Sequence, residues 1–246
     1  VLNHTRNGNA TMVDADGLLK WAPHNLVSYS GDFSNAAWSK FSIDVVVNSL
    51  TAPDGTNTAA QLSATSTTGP TYIDSPNIQT TAGAQYKQKI YVKSGTLNFV
   101  VVSARWGGRA PTRTWFDLST GVRTSGTDAE ISDEGNGWYL LTLTDTGDRS
   151  APCRLFVVNG DGETSSSALG YIYAWGAHAH RSDLGGMVNN PATGNSYVPT
   201  TDAARYLPRE NHHVYNGSAW VKEGYLHEPE AATNLAPYSN DFSQWS

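Results

Sequence analysis

The chain has 246 residues, a formal net charge of −6, 39% hydrophobic and 11% aromatic residues, only 15% charged residues and a single cysteine. No basic cluster offers a nucleic-acid footprint, no apolar run nears membrane-span length, and one thiol, Cys153, excludes an internal disulfide or an all-cysteine metal site. Abundant Gly, Thr, Ser, Asn, Tyr and Trp suit short strands joined by polar turns, not helix bundles.

Residues 1–24 read as a connector without a signal peptide. A start at Val1 fits a piece cut from a longer chain. Thr11-Met12-Val13 and Leu18 to Trp21 flank Asp16-Gly17, which predicts a hairpin. Next comes Asn25-Leu-Val-Ser-Tyr-Ser-Gly-Asp-Phe-Ser-Asn-Ala-Ala-Trp38, and it returns as Asn234-Leu-Ala-Pro-Tyr-Ser-Asn-Asp-Phe-Ser-Gln-Trp245, an offset of 234 − 25 = 209 residues. Self-similarity at a long offset marks a repeated unit. His213 to Val221, with Asn216-Gly217 at its centre, predicts a second hairpin ahead of the second copy. The expected organisation is a connector at 1–24, one module at 25–207, a connector at 208–233 and the opening of a second module at 234–246.

Within the module, Phe41 to Val47 predicts a strand, and Ala59 to Ser63 another. Tyr86 to Lys93 alternates, with Tyr86, Gln88, Ile90 and Val92 on one face and Lys87, Lys89, Tyr91 and Lys93 on the other. Leu97 to Trp106, Thr112 to Leu118, Trp138 to Thr144, Arg154 to Val158 and Tyr171 to His178 complete about eight to ten strands, the spacing of a sandwich or jelly roll. The fold class is therefore all-β, an antiparallel jelly-roll β-sandwich with flanking β-hairpin connectors. Alternation places Phe33, Trp38, Ile90, Val92, Phe116, Leu118, Tyr139, Leu141 and Leu143 in the core. Ser182 to Pro199 is a Gly- and Asn-rich loop.

No nucleophile elbow, zinc-protease motif or phosphate-cradling loop is present, and Asp133-Glu134 reads as part of a turn. His178 and His180 share a strand face and could hold zinc if a third ligand arrived, or simply form a polar strand end. Asn159 to Glu163 could wrap calcium or be a plain turn. No metal and no cofactor is expected. Aromatic faces stack on sugar rings while amides, acids and Arg read hydroxyls. Tyr91, Arg105, Trp106, Arg113, Trp115 and Asp117, on adjacent strands, are the candidate glycan platform, with packing as the competing role.

Asn25-Leu26, Tyr29-Ser30, Asp32-Phe33-Ser34 and Trp38 resemble the opening of a jelly-roll module recurrent in tail and virion structural proteins of tailed bacteriophages and prophages. Ala52-Pro53-Asp54-Gly55-Thr56, Trp115 to Gly121, Asn136 to Tyr139, Tyr173 to Ala177 and Tyr197 to Thr201 with Ala203-Ala204 are similar to its later signatures, in order, over about four-fifths of the chain. His178-Ala179-His180 departs from it, where an amide and an acid are usual. The resemblance implies a carbohydrate-binding-module-like sandwich on the external surface of a virion, outside the cell. It implies a non-enzymatic structural protein of tail, fibre, neck or capsid, contacting other virion proteins and copies of itself, with a trimer among the forms. Contact with host surface polysaccharide is left open. The alternative is a carbohydrate-binding module of a secreted glycan-active enzyme.

Overall fold

The computed structural model describes residues 6–108 and 110–226. Among them there is no helix, and twelve strands form two antiparallel six-stranded sheets packed face to face as a sandwich. The first sheet runs β11 (Val122–Ser125), β10 (Thr112–Asp117), β9 (Phe99–Ala104), β14 (Arg154–Val158), β7 (Tyr72–Asp74), β4 (Ser39–Phe41). The second runs β12 (Ala129–Gly135), β13 (Trp138–Thr146), β8 (Gln85–Ser94), β15 (Gly170–Arg181), β6 (Ala59–Ala64), β5 (Ile43–Leu50). The chain crosses repeatedly from one sheet to the other, in the jelly-roll manner.

One crossing explains a difference from the sequence reading. Phe41 to Val47 is not one strand: Ser42 sits at φ 52°, which turns the chain between β4 of the first sheet and β5 of the second. A left-handed backbone costs a non-glycine residue about 1–2 kcal/mol. Ser42→Val should therefore lower stability by about 1–2 kcal/mol, read as a shift in urea midpoint, while Ser42→Gly is tolerated.

Inward side chains of both sheets make the main core. Phe33, Trp38, Ile90, Val92, Phe116, Leu118, Leu141 and Leu143 are buried in it, and Tyr139 packs partly buried against it. Two smaller apolar clusters lie on the outer faces. Tyr91, Trp138, Trp175 and Tyr197 form one on the second sheet; Val101, Phe156 and Val158 form the other on the first.

Hairpins flank the sandwich: β1 (Thr11–Val13) with β2 (Leu19–Trp21), and β17 (His212–Tyr215) with β18 (Trp220–Gly224). The two touch, through the Val13 amide donating to His212 Nδ1 at 3.1 Å. The short β3 (His24–Asn25) pairs with β16 (Arg205–Tyr206) and runs along the edge of β15 that β6 leaves open, bonding to the main chain of Ala177, Ala179 and Arg181. The repeated segment 234–246 lies outside the described residues.

Asn25, which opens the repeated motif, is a hub with no exposure. Its amide nitrogen donates to the carbonyls of Ala177 (3.0 Å) and Val198 (2.8 Å), and its oxygen accepts from the amides of Val27 and Ala179 (3.0 Å each). The rest of the motif is equally structural. Trp38 Nε1 donates to the Tyr29 carbonyl at 3.1 Å, Phe33 meets Trp38 edge to face at 4.9 Å, and the Asp32 carboxylate accepts the Ser34 amide at 3.1 Å.

Candidate functional site

The outer face of the first sheet carries the densest arrangement of rings and charges. Register lines up Phe41, Tyr72, Phe156, Val101 and Trp115 as one rung across β4, β7, β14, β9 and β10. The next rung is Ser39, Asp74, Arg154, Ser103 and Arg113. Five strands at ~4.8 Å spacing make each rung about 19 Å wide. The rungs face outward because their alternates, Ile73, Leu155 and Val102, are buried in the core.

The apolar rung is partly open. Phe41 is 48% exposed and stacks on the half-buried Tyr72 with centroids 5.3 Å apart and planes 6° from parallel. Phe156, beneath, is covered by the guanidinium groups of Arg113 (5.5 Å) and Arg154 (5.6 Å). The half-buried Trp115 is fixed by its indole N–H, which donates to the Glu163 carbonyl at 2.7 Å.

The polar rung has an unbalanced charge. Arg154 lies 3.7 Å above the Tyr72 ring and donates from Nε to Asp74 Oδ1 at 2.6 Å, so its charge is matched. Arg105, one register step beyond Ser103 on the same face, has a buried Nε with no hydrogen-bond partner. Its acidity is raised first by burial and then by the neighbouring Arg154 charge, with Asp74 acting in the opposite sense. Arg113 is exposed and its guanidinium makes no ion pair among the described residues. Three guanidinium groups thus share one carboxylate. At the far end of the face the carboxylates are already engaged: Asp117 with Ser119 and Thr120 of its own turn, Asp161 with Thr124 and Ser125 of β11, and Glu163 with the Asn159 amide.

Of the six residues singled out from sequence, Arg105, Arg113 and Trp115 are brought together here, and Asp117 stands on the same face with its oxygens occupied. Trp106 is corrected: it is 1% exposed in the main core, its indole donating to the Ala151 carbonyl at 2.9 Å, with no ring face for a sugar. Tyr91 is also corrected. It lies on the outer face of the other sheet, buried against Trp175 at 5.2 Å, and burial pushes its phenol up to about 12. Phe41, Tyr72, Asp74 and Arg154 escaped the sequence reading, because β4 and β7 have three residues each and show no period.

His178 and His180 share a face as expected, with ring centroids 4.7 Å apart, and both are buried. A third imidazole, His24, approaches His180 to 6.2 Å. Its nitrogens are both engaged: Nδ1–H donates to the Ala22 carbonyl at 2.8 Å, and Nε2 accepts the Arg181 amide at 3.0 Å. His178 Nε2–H donates to the His24 carbonyl at 2.8 Å. Among the described residues no group of three His, Cys, Asp or Glu could hold a metal.

No protein-family model matches the chain, and no curated protein matches it. Twelve chains among solved structures do. One is the enzymatically active domain of tailspike protein 4 of bacteriophage CBA120, at 17% identity and a TM-score of 0.42, over 64% of this chain and 21% of that chain. This chain therefore spans about a fifth of that one's length. That matched structure is described as an enzymatically active domain, against the expectation from sequence of a non-enzymatic protein.

Proposed function

We propose that the chain is a glycan-binding β-sandwich module of a phage tail-associated, glycan-active protein, and that its outer first-sheet face holds carboxylate-bearing saccharide. The observation that carries this reading is the aromatic rung of Phe41, Tyr72 and Trp115 beside Arg113, which makes no ion pair among the described residues, and Arg105, whose buried Nε has no hydrogen-bond partner. Rings take the apolar face of a pyranose, and guanidinium forks take carboxylates in two-point geometry. The ordered motifs from Asn25 to Ala204 support the tail assignment. A place on the external virion surface, assembly with other virion proteins and copies of itself, and a second unit opening at Asn234 belong to the same proposal.

A glycan array with oligogalacturonate, polysialate and neutral oligosaccharides tests it. The wild type should retain the acidic probes, and retention should fall with added salt. Arg113→Ala changes an exposed side chain, so the fold survives. It should weaken acidic binding about tenfold, the effect of losing one charge-assisted hydrogen bond. Unchanged acidic binding in Arg113→Ala and Tyr72→Ala would overturn the assignment of this face.

A further inference from the structure

A cleft of about 590 Å³ opens on the opposite side of the sandwich, between the β5–β6 connection, β15 and the 192–199 loop. Its volume falls within the range of small-molecule sites, about 300–1,000 Å³. Trp175 and Tyr197 border its floor, with ring centroids 4.7 Å apart and only 4% and 5% of their surfaces exposed. Both rings are locked. The Trp175 indole donates to Thr58 Oγ1 at 3.0 Å, and the Tyr197 hydroxyl meets Ser30 Oγ at 3.0 Å.

The local sequence explains the floor. Gly176 at φ 63° makes a bulge in β15, and a Cβ there would press on Tyr91 at 3.2 Å. Alternation already points Trp175 outward against Tyr91, after inward Ala174, and the extra residue resets the phase so that Ala177 faces the core. The rim is polar and has bonding capacity to spare. Asn48, at φ 56° on the irregularity of β5, makes no side-chain hydrogen bond among the described residues. Asp54 Oδ1 accepts from the Thr56 amide (2.9 Å) and hydroxyl (2.7 Å), which leaves Oδ2 free. Asn195 Oδ1 accepts the Tyr197 amide at 2.9 Å, which leaves Nδ2 to donate outward.

We infer that this cleft is a second binding site, for an uncharged saccharide residue. An apolar floor with carboxylate and amide groups at the rim suits a pyranose, whose hydroxyls both donate and accept. The cleft holds no Lys or Arg and one carboxylate, Asp54, so an acidic sugar is repelled here. The two faces of the module thus select different saccharides, acidic on one and uncharged on the other, and this inference stands independently of the arginine face.

Two substitutions leave the fold alone. Asn48→Gly keeps the left-handed backbone and deletes the carboxamide. At Gly31, an added Cβ meets only the Tyr197 hydroxyl at 3.7 Å, an ordinary contact, so Gly31→Leu fills the cleft. Saturation-transfer NMR and calorimetry with glucose-, galactose-, mannose- and N-acetylglucosamine-terminated trisaccharides read the outcome. At least one neutral probe should bind the wild type. Asn48→Gly and Gly31→Leu should each weaken it about tenfold or more, while oligogalacturonate binding is unchanged. No neutral binding to the wild type, or binding that survives both substitutions, overturns the second site and leaves the arginine face untouched.

Discussion

Replacing Asn25 with Ala is expected to remove about 4 kcal/mol or more of stability. The substitution leaves two carbonyls, Ala177 and Val198, and two amides, Val27 and Ala179, without the partner that Asn25 supplies in a site closed to water. Each buried group so abandoned costs about 1–3 kcal/mol. Domains have about 5–15 kcal/mol in total, so the variant sits near the edge of folding. Asn25→Asp is the sharper control. It keeps an acceptor for the two amides but points a second oxygen at two carbonyls, so at neutral pH it should be at least as damaging. Urea denaturation followed by tryptophan fluorescence checks both. A midpoint within error of the wild type in Asn25→Ala would mean that the hub is decorative.

Acid should unfold the protein through its buried imidazoles. Burial, above all, lowers His24 to about 4 and His178 to about 3, and pushes His180 down as well; the nearby Arg181, Lys87 and Lys89 charges act in the same direction. In the unfolded chain each returns to about 6.5. The folded values are depressed, so as pH falls below about 6.5 the unfolded state takes up protons that the folded state refuses. The stability contributed by neutral imidazoles is thus whole above about 6.5 and is lost progressively towards pH 4. Each contributes a slope approaching about 1.4 kcal/mol per pH unit within that window. Between pH 6.5 and 5 most carboxylates remain ionised, so the fall belongs chiefly to histidine. His180→Phe removes one of these protons and should flatten the slope by one unit of proton uptake. A urea midpoint constant from pH 7 to 5 would contradict the burial of all three rings.

The strands that the sequence marks well are those long enough to show a period. Gln85–Ser94 and Trp138–Thr146 have ten and nine residues, and their alternation separates inward from outward side chains, although outward Tyr91 and Trp138 are buried in the outer-face cluster. Alternation even carried the signal for Trp106. It continues the inward series Val100, Val102, Ala104, so its place in the core was legible. What alternation does not carry is which sheet a strand joins. Tyr91 and Trp115 both face outward, but from opposite sheets, and only long-range pairing separates them. The platform's remaining members sit on three-residue strands or at a strand's first residue, as Arg154 does, where no local pattern exists. His24 was hidden for another reason: it lies in a connector, and its burial is created by Tyr206, which stacks on it at 5.9 Å from 182 positions away (206 − 24).

The claim that the first-sheet face holds acidic saccharide is tested most directly by a two-dimensional NMR titration of the wild type with oligogalacturonate. Shifts should concentrate at the Trp115 indole N–H and at the Arg105 and Arg113 Nε–H signals, with the Trp175 indole N–H on the opposite face unmoved. Shifts confined to the Trp175 side, or none at all, would contradict it.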